Sequence, residues 1–253
     1  MKKQFVCLSG LPRSGSTLLS AILCQNPDIH AEGNSAVCQL MWDMQESCTK
    51  KAKEQLSANN RQNTAYDLIS EIPNIYYKNT TSSVIVDKCR SWTVPTNIEL
   101  LKKYISEDYK VIVLERSVTD VIKSFMKINQ DNGIQFDAEK MLTTNTEPVM
   151  TPLSGILYAR KNNDNNNFLF ISYNELVNDT KNTIQKIYDF CGWKHFEHDF
   201  NNIVQKFPEN DEVYGMKGLH EIRNTVGKRD VKVTLPDNIA AKCMTIDKIM
   251  GYV

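Results

Sequence analysis

The sequence lacks a run of 18 apolar residues, so no segment is expected to cross a membrane as a helix. It also lacks an excess of charge of either sign, because 30 Lys and Arg residues balance 30 Asp and Glu residues. Balanced charge argues against a broadly basic nucleic-acid-binding protein, although it leaves room for a local phosphate site. With 41% apolar and 24% charged residues, the 253-residue chain has the composition of an ordinary globular protein. We therefore expect neither a membrane nor a nucleic acid as partner.

Neither a secretory signal nor a disulfide framework is indicated. The apolar run 5–8, after the N-terminal lysines, is too short for the hydrophobic region of a signal peptide. The seven cysteines are scattered, odd in number and never spaced as C-x-x-C. That pattern favours reduced thiols over disulfides or a zinc site. The sequence thus predicts a cytoplasmic protein without a metal.

Short β-rich runs alternate with helical stretches along the chain. Nearly continuous apolar strands separated by helices indicate a parallel sheet covered on both faces. We therefore predict an α/β fold with three layers, a central, mostly parallel sheet of about five strands, and one domain over residues 1–253. Residues 129–152 have weak periodicity and are a candidate lid or substrate loop. The clearest predicted strands are 5–9, 83–87, 110–115 and 168–172. The predicted helices are 16–25, 35–56, 64–78, 95–104, 118–129, 180–191 and 236–250.

Unusual polar residues follow the predicted strands. In open parallel sheets, ligands bind outside the carboxyl ends of the strands. The segments at those ends are 9–17, 87–92, 115–119 and 172–175. We expect the chemistry of this protein at that edge of the sheet.

The strongest local signal is the segment 10–17, GLPRSGST, between a predicted strand and a predicted helix. Its two glycines have the Walker A spacing, and Gly15 would let successive backbone N–H groups point at one anion. Ser16 stands where the Walker lysine would be, and Arg13 supplies a cation from inside the loop. The arrangement predicts a P-loop-like phosphate or sulfate site without a triphosphate–magnesium cradle. The alternative is a simple Gly/Pro turn.

Residues 12–19, PRSGSTLL, resemble the 5′-phosphosulfate loop of sulfotransferases that use 3′-phosphoadenosine 5′-phosphosulfate (PAPS). The arginine-bearing form is more similar to tyrosylprotein and bacterial sulfotransferases than to the cytosolic enzymes, which carry a lysine there. The resemblance implies that Arg13 binds the sulfuryl group and the bridging oxygen, and that backbone N–H groups of 14–17 hold the 5′-phosphate. The donor-binding residues it implies in this loop are Pro12, Arg13, Ser14, Gly15, Ser16, Thr17 and Leu18.

Two further segments resemble the family. A strand followed by Arg116 and, eight residues on, Ser124 is similar to the family's grip on the 3′-phosphate. An arginine at a strand end could instead form a surface ion pair. Residues 87–92, DKCRSW, resemble a stretch of bacterial members, and the resemblance implies that Lys88 helps to hold the sulfuryl group. Asp87 could instead pair with Lys88 or Arg90 in a purely structural role.

The resemblance continues towards the C-terminus. Residues 170–177, FISYNELV, resemble the family segment in which a tyrosine lies near the adenine, which implies that role for Tyr173. In a late loop the family uses a lysine to close over the 3′-phosphate. Lys228 is the candidate here and Arg223 its competitor, since the motif of the cytosolic enzymes is absent.

An alcohol acceptor requires a general base, and two residues are candidates. Glu32 lies in the predicted loop after the first helix, near the position of a basic glutamate in the tyrosylprotein enzymes. His220 has a side chain whose pKa suits proton transfer near neutrality. The sequence does not decide between them.

These features predict sulfuryl transfer from PAPS to a hydroxyl or amine, with release of adenosine 3′,5′-bisphosphate (PAP) and no metal. The acceptor could be a small molecule, a carbohydrate or a peptide, and the oligomeric state is not readable. One alternative is a P-loop kinase or NTPase, against which the missing Walker lysine argues. Another is a nucleotide-binding adaptor without turnover.

Overall fold

The computed structural model describes residues 3–144, 146–228 and 231–253. Its centre is a five-stranded sheet in the order β2-β3-β1-β4-β5, in which every neighbouring pair is parallel. The predicted α/β fold with a parallel central sheet is confirmed. The strands are β1 (Gln4–Gly10), β2 (Ile29–Asn34), β3 (Val84–Lys88), β4 (Lys110–Glu115) and β5 (Phe168–Ser172).

Successive residues of the strands face opposite sides of the sheet, as the pleat requires. Val6 and Leu8 of β1 belong to one buried apolar cluster, whereas Cys7 between them belongs to the other. In β4, Val111 and Ile112 divide in the same way. Both faces are therefore covered, which explains the nearly continuous apolar strands in the sequence.

Helices form the two outer layers. One face of the sheet is covered by α1 (Ser16–Leu23), α10 (Tyr173–Asn178) and α11 (Thr180–Cys191). The opposite face is covered by α2 (Val37–Glu46), α4 (Gln62–Ser70), α6 (Pro95–Leu100), α7 (Val118–Asp131), α9 (Met150–Lys161) and α12 (Asp237–Met250). The remaining helices are α3 (Lys53–Ala58), α5 (Ile72–Tyr76) and α8 (Ala138–Met141). Short π-helical turns at Ser47–Lys51 and Leu101–Ile105 extend α2 and α6, and Asp211–Tyr214 forms a 3₁₀ turn.

Two sequence predictions of secondary structure were incomplete. Residues Ile29–Asn34 were predicted as a loop, but they form the edge strand β2 beside β3. The segment 129–152 is more ordered than its periodicity suggested, because it contains α8 and the first turn of α9. Its role as a lid or substrate loop stays a prediction.

The start of α7 is fixed from a distant part of the chain. Asp247 of α12 is 1% exposed and accepts hydrogen bonds from Ser117 Oγ at 2.7 Å, the Val118 backbone N–H at 2.5 Å and Thr119 Oγ1 at 2.7 Å. A carboxylate at a helix N-terminus satisfies backbone N–H groups and complements the helix dipole. Because Arg116 precedes this cap directly, the cap also fixes the place of that arginine.

All seven cysteines are free thiols, and five of them are buried. Within the described ranges, no helix combines the length and apolar character needed to cross a membrane.

Candidate functional site

The loop between β1 and α1 has a backbone that few residues can adopt. Gly10 has φ +134°, and a Cβ atom there would lie 2.1 Å from the carbonyl oxygen of Leu114. Gly15, the residue before α1, has φ +94°, and Arg13 between them has φ 61°. The Leu11 N–H donates to the same Leu114 carbonyl at 3.0 Å, which ties the loop to β4. The glycine spacing in the sequence therefore reports a real backbone requirement.

Most of the predicted donor-binding residues line one cavity of about 330 Å³ at the carboxyl ends of the strands. Ser14, Glu32 and Lys228 do not line it. Ser14 is fully buried, and its hydroxyl donates to the Leu11 carbonyl at 2.5 Å, so only its backbone could serve a ligand. The predicted residues that do line the cavity are Pro12, Arg13, Gly15, Ser16, Thr17, Leu18, Lys88, Arg116, Ser124, Tyr173 and His220.

The two arginines predicted to bind opposite ends of the donor lie close together. Arg116 donates from Nη1 to the Arg13 carbonyl at 2.8 Å. Arg13 donates from Nε to Ser124 Oγ at 3.0 Å and from Nη1 to the Leu219 carbonyl. The loop after β1, the start of α7 and the segment around Leu219 are thereby joined at one point.

The Tyr173 ring packs against Arg116 and the loop after β1. The Arg116 guanidinium lies 4.1 Å from the centre of the Tyr173 ring, and the tyrosine is 7% exposed. A cation above an aromatic face is attracted by the ring's quadrupole and held in a fixed plane. Tyr173 also packs beside Gly15, where an added Cβ would meet its ring at 3.3 Å. The structure thus adds a role in holding Arg116 to the predicted place near the adenine.

Lys88, the last residue of β3, forms a buried ion pair. Its Nζ donates to Glu209 Oε1 at 3.0 Å, and the two side chains are 5% and 10% exposed. Burial lowers the pKa of Lys88, and the Glu209 carboxylate opposes that shift. Glu209 fits closely here because Gly33 in β2 has no side chain: a Cβ there would lie 2.2 Å from the Glu209 carboxyl carbon.

The neighbouring Asp87 has a structural environment of its own. It is completely buried, and its carboxylate accepts hydrogen bonds from Tyr77 Oη at 2.8 Å and Trp92 Nε1 at 2.7 Å. The sequence left open an ion pair of Asp87 with Lys88 or Arg90. The structure does not show that pair, because the carboxylate oxygens of Asp87 bond Tyr77 and Trp92 on the α2–α5 side of the sheet. Burial raises the pKa of the Asp87 carboxyl.

His220 lies in the C-terminal segment and faces the same cavity. Its Nδ1 is 2.6 Å from Asp211 Oδ1, and its backbone N–H donates to Asp211 Oδ2 at 2.9 Å. Its Nε2 lies 3.5 Å from Glu209 Oε1. Burial lowers the pKa of His220 overall, although the bond to Asp211 favours the protonated ring. The lowered pKa favours the neutral form of the imidazole.

Glu32, the other predicted base, lies elsewhere. It belongs to β2 rather than to a loop, and its Oε2 is 3.1 Å from Nε2 of His30. It lines a separate small cavity beneath Glu209, which Lys88 and Thr17 also border. Glu32 is not among the lining residues of the main cavity, so the structure does not bring it together with Arg13 and His220.

The predicted closure residue Lys228 is exposed and outside the cavity lining. Its competitor Arg223 does line the cavity, together with Gly227 and Val231. The late loop therefore borders the cavity through Arg223, the competitor, rather than through Lys228.

The cavity is strongly positive in a chain of zero net charge. Among its described lining residues, six carry Lys or Arg charges and two carry carboxylates, a surplus of four positive charges. The basic residues are Arg13, Lys88, Arg90, Arg116, Lys127 and Arg223, and the acidic ones are Asp131 and Glu221. A cleft lined by one sign of charge concentrates ligands of the opposite sign.

The sheet topology explains why the cavity forms here. After β1 the chain enters α1 on one face, and after the adjacent β4 it enters α7 on the other. Connections that leave neighbouring strands in opposite directions open a crevice at their carboxyl ends.

Three residues of this site were missed by the sequence reasoning: Glu209, Asp211 and Tyr214. The last two lie in the 3₁₀ turn, and the Tyr214 ring centre is 5.7 Å from that of His220. Their segment has no hydrophobic periodicity and no motif. The only available indication was the spacing of Glu209 and Asp211 from His220 in the sequence, and that spacing alone predicts no contact.

Comparison with known proteins gives consistent results. A family model described as the sulfotransferase family matches residues 6–198. The sulfotransferase domain from the curacin biosynthetic pathway is 18% identical, with a TM-score of 0.62 over 100% of this chain and 99% of that one. The sulfotransferase domain of the Synechococcus PCC 7002 olefin synthase has the same identity and TM-score, over 100% and 97%. A sulfotransferase from Alicyclobacillus acidocaldarius is 12% identical, with a TM-score of 0.53 over 99% and 96%. At these identities the likeness shows a shared fold. No curated protein sequence matches the chain.

Proposed function

This chain belongs to the sulfotransferase family, and from that premise we propose that it moves a sulfuryl group from PAPS to a hydroxyl or amine acceptor and releases PAP. The observation that carries the proposal is the cavity at the carboxyl ends of β1, β3 and β4. It joins a phosphate-type loop, three of the predicted donor-binding cations (Arg13, Lys88 and Arg116) and the His220 imidazole in one space.

The charge of the cavity matches the proposed donor. PAPS has a 3′-phosphate and a 5′-phosphosulfate and carries about four negative charges near pH 7. The described lining residues provide a surplus of four positive charges, or three once the Lys88 ammonium is balanced by Glu209. The volume of about 330 Å³ lies in the range of small-molecule sites. Charge and size therefore both support a nucleotide donor.

We assign the phosphosulfate end of the donor to the loop after β1. Backbone N–H groups at the start of α1 would bind the 5′-phosphate, with the hydroxyls of Ser16 and Thr17 beside them. Arg13 would stabilise the charge that develops on the bridging oxygen. To do so it would exchange its bonds to Ser124 and the Leu219 carbonyl for bonds to the donor.

We assign the 3′-phosphate to Arg116, at the end of β4, and to Ser124 of α7, because both line the cavity. A guanidinium binds a phosphate with two parallel hydrogen bonds, and a hydroxyl adds one more. Tyr173 would hold Arg116 in plane while its ring edge borders the adenine. Arg223 replaces Lys228 as the preferred closing residue, because it lines the cavity.

Sulfuryl transfer needs positioning and charge stabilisation more than covalent chemistry, as phosphoryl transfer does. Lys88 would approach the moving group from the end of β3. His220 is the better base than Glu32, since it lines the same cavity as Arg13 and Lys88 and burial lowers its pKa, which favours the neutral ring. We propose that Asp131, which belongs to the predicted lid or substrate loop, borders the acceptor, because it lines this cavity.

The proposal is tested first by ligand binding. At 100 times its dissociation constant, PAP should stabilise the fold by about 2.7 kcal/mol in thermal unfolding. ATP with Mg²⁺ is the comparison ligand, and preferential binding of ATP with phosphoryl transfer would instead support a kinase or NTPase.

The second measurement follows ³⁵S from PAPS into a panel of alcohols, sugars, tyrosine peptides and amines. Transfer by the parent and its loss in Arg13→Ala support the proposal. PAP binding without transfer to any acceptor would indicate an adaptor, and binding of neither nucleotide would refute the donor assignment.

A further inference from the structure

The 3₁₀ turn Asp211–Tyr214 brings one carboxylate onto the back of His220. The two oxygens of Asp211 are both used: Oδ2 accepts the His220 backbone N–H at 2.9 Å, and Oδ1 lies 2.6 Å from Nδ1. Both side chains are 14% exposed. A carboxylate held at two points of the same residue fixes both the place and the rotation of the imidazole ring.

The arrangement also fixes the proton on the ring. A carboxylate accepts hydrogen bonds, so Nδ1 must carry the hydrogen of the neutral imidazole. The lone pair then lies on Nε2, which is 3.5 Å from Glu209 Oε1. His220 lines the cavity together with Lys88 and Tyr214.

Four groups face His220 from the elements packed around it. Asp211 and Tyr214 come from the 3₁₀ turn, Glu209 from the segment before it, and Lys88 from the end of β3. The Lys88 ammonium donates to the Glu209 oxygen that lies 3.5 Å from Nε2, and it thereby balances that carboxylate. The charge nearest to the cavity side of the ring is therefore paired, whereas the Asp211 charge acts on the ring directly.

We propose that Asp211 is a positioning residue, which holds His220 in the tautomer and orientation needed to take a proton from the acceptor hydroxyl. The proposal rests on the proposed function. In the step, the acceptor oxygen forms a bond to sulfur while the bond between sulfur and the bridging oxygen breaks. The electron pair of that bond goes to the 5′-phosphate of PAP, and the acceptor proton moves to Nε2 of His220, which later loses it to water.

The decisive variant is Asp211→Asn, because it keeps the size of the side chain and removes the charge. The single amide oxygen of asparagine can accept the hydrogen bond from the His220 backbone N–H, but the amide NH₂ group then points at Nδ1. Because that group donates, Nδ1 would have to accept, and the ring hydrogen would move to Nε2. A base in the wrong tautomer cannot accept the proton, so kcat should fall on the order of 10²-fold. Asp211→Glu keeps the charge and should recover part of kcat. Glu212→Gln, an exposed position in the same turn, is the matched control and should leave kcat unchanged.

The pH profile separates positioning from a simple loss of structure. Activity should disappear as the pH falls through the pKa of His220, because the protonated ring is no base. Asp211 raises that pKa against the effect of burial. In Asp211→Asn the acid limb of kcat/KM should therefore move to lower pH, while in Glu212→Gln it should stay. A damaged fold alone would lower the plateau and raise KM without moving the limb.

A measurement on the ring itself does not depend on turnover. The chain has four histidines, so ¹⁵N long-range NMR spectra can be assigned with His220→Gln as reference. We expect Nδ1–H in the parent and in Glu212→Gln, and Nε2–H in Asp211→Asn. An unchanged tautomer together with an unchanged acid limb would overturn the proposal, as would full activity of His220→Gln. If the parent transfers no sulfuryl group from PAPS, the proposed function fails, while the spectra still decide whether Asp211 sets the tautomer.

Discussion

The assignment of the 3′-phosphate to Arg116 predicts a difference between two nucleotides. PAP has a 3′-phosphate and AMP does not, while both carry the 5′-phosphate. In Arg116→Ala, both nucleotides should bind more weakly, because the loop after β1 loses its hydrogen bond from Arg116. Only PAP should also lose affinity from the hydrogen bonds between the guanidinium and the 3′-phosphate. Comparing both ligands on both proteins isolates the contact with the 3′-phosphate.

The magnitudes follow from the contacts of Arg116. Its bond to the Arg13 carbonyl at 2.8 Å supports the loop for either nucleotide. Loss of such a charge-assisted hydrogen bond costs up to about 1.5–3 kcal/mol, or roughly a 10- to 150-fold weaker Kd for AMP. Charged hydrogen bonds to the 3′-phosphate are worth about 1.5–3 kcal/mol more. PAP should therefore lose a further factor of about 10 to 150.

Isothermal titration calorimetry gives both dissociation constants directly. Lys123→Ala is the matched control, because Lys123 lies on α7 but does not line the cavity, and its removal changes the net charge equally. Arg116→Lys should bind PAP with intermediate affinity, since an ammonium keeps the charge but loses the planar fork. Equal losses for AMP and PAP, or an equal loss in Lys123→Ala, would refute the 3′-phosphate assignment.

Two further predictions concern stability. Glu209→Gln leaves the Lys88 ammonium buried without its partner, so unfolding in urea should become easier by about 3–5 kcal/mol at neutral pH. Burial already lowers the pKa of Lys88 below its ordinary 10.5, so at high pH the folded variant binds fewer protons than the unfolded chain. The loss in free energy of unfolding should therefore shrink as the pH rises towards that value. A loss that does not depend on pH would contradict this explanation. Asp247→Ala removes the cap of α7 and should cost about 2–4 kcal/mol in the same assay, with Asp237→Ala, exposed at the other end of α12, as control. Equal effects at positions 247 and 237 would show that the buried contacts contribute nothing.

Much of the fold follows from local patterns in the sequence. β4 is a continuous apolar run, and the predicted boundaries 110–115 agree with the structure. Strand β2 was missed because its six residues, IHAEGN, include a glycine and three charged or polar side chains and show no clear alternation. It forms because β3 offers an unpaired backbone edge, and a partner strand at such an edge is chosen by tertiary context rather than by propensity. The misplacement of Glu32 follows from that one omission.

The parts of the site also differ in how far the sequence predicts them. The loop after β1 could be predicted because its glycines, hydroxyls and arginine are adjacent in the chain and each has a local physical reason. Glu209 could not be predicted, since it meets Lys88 across 121 residues and its own segment has neither a motif nor a period. Contacts of this kind are set by how the C-terminal segment crosses the sheet edge, which depends on packing and leaves no local trace in the sequence.

The strand order explains how two separate motifs become one site. Arg13 and Arg116 are 103 residues apart, and nothing in either motif fixes their distance. They meet because β1 and β4 are neighbours in the sheet and their chains leave in opposite directions, so both strand ends open into one crevice. Had β4 been placed at the far edge beside β2, two strands would stand between the same sequence motifs, and they would lie roughly 14 Å apart. Topology therefore brings the two motifs to one cavity, as the proposed binding of both ends of one nucleotide requires.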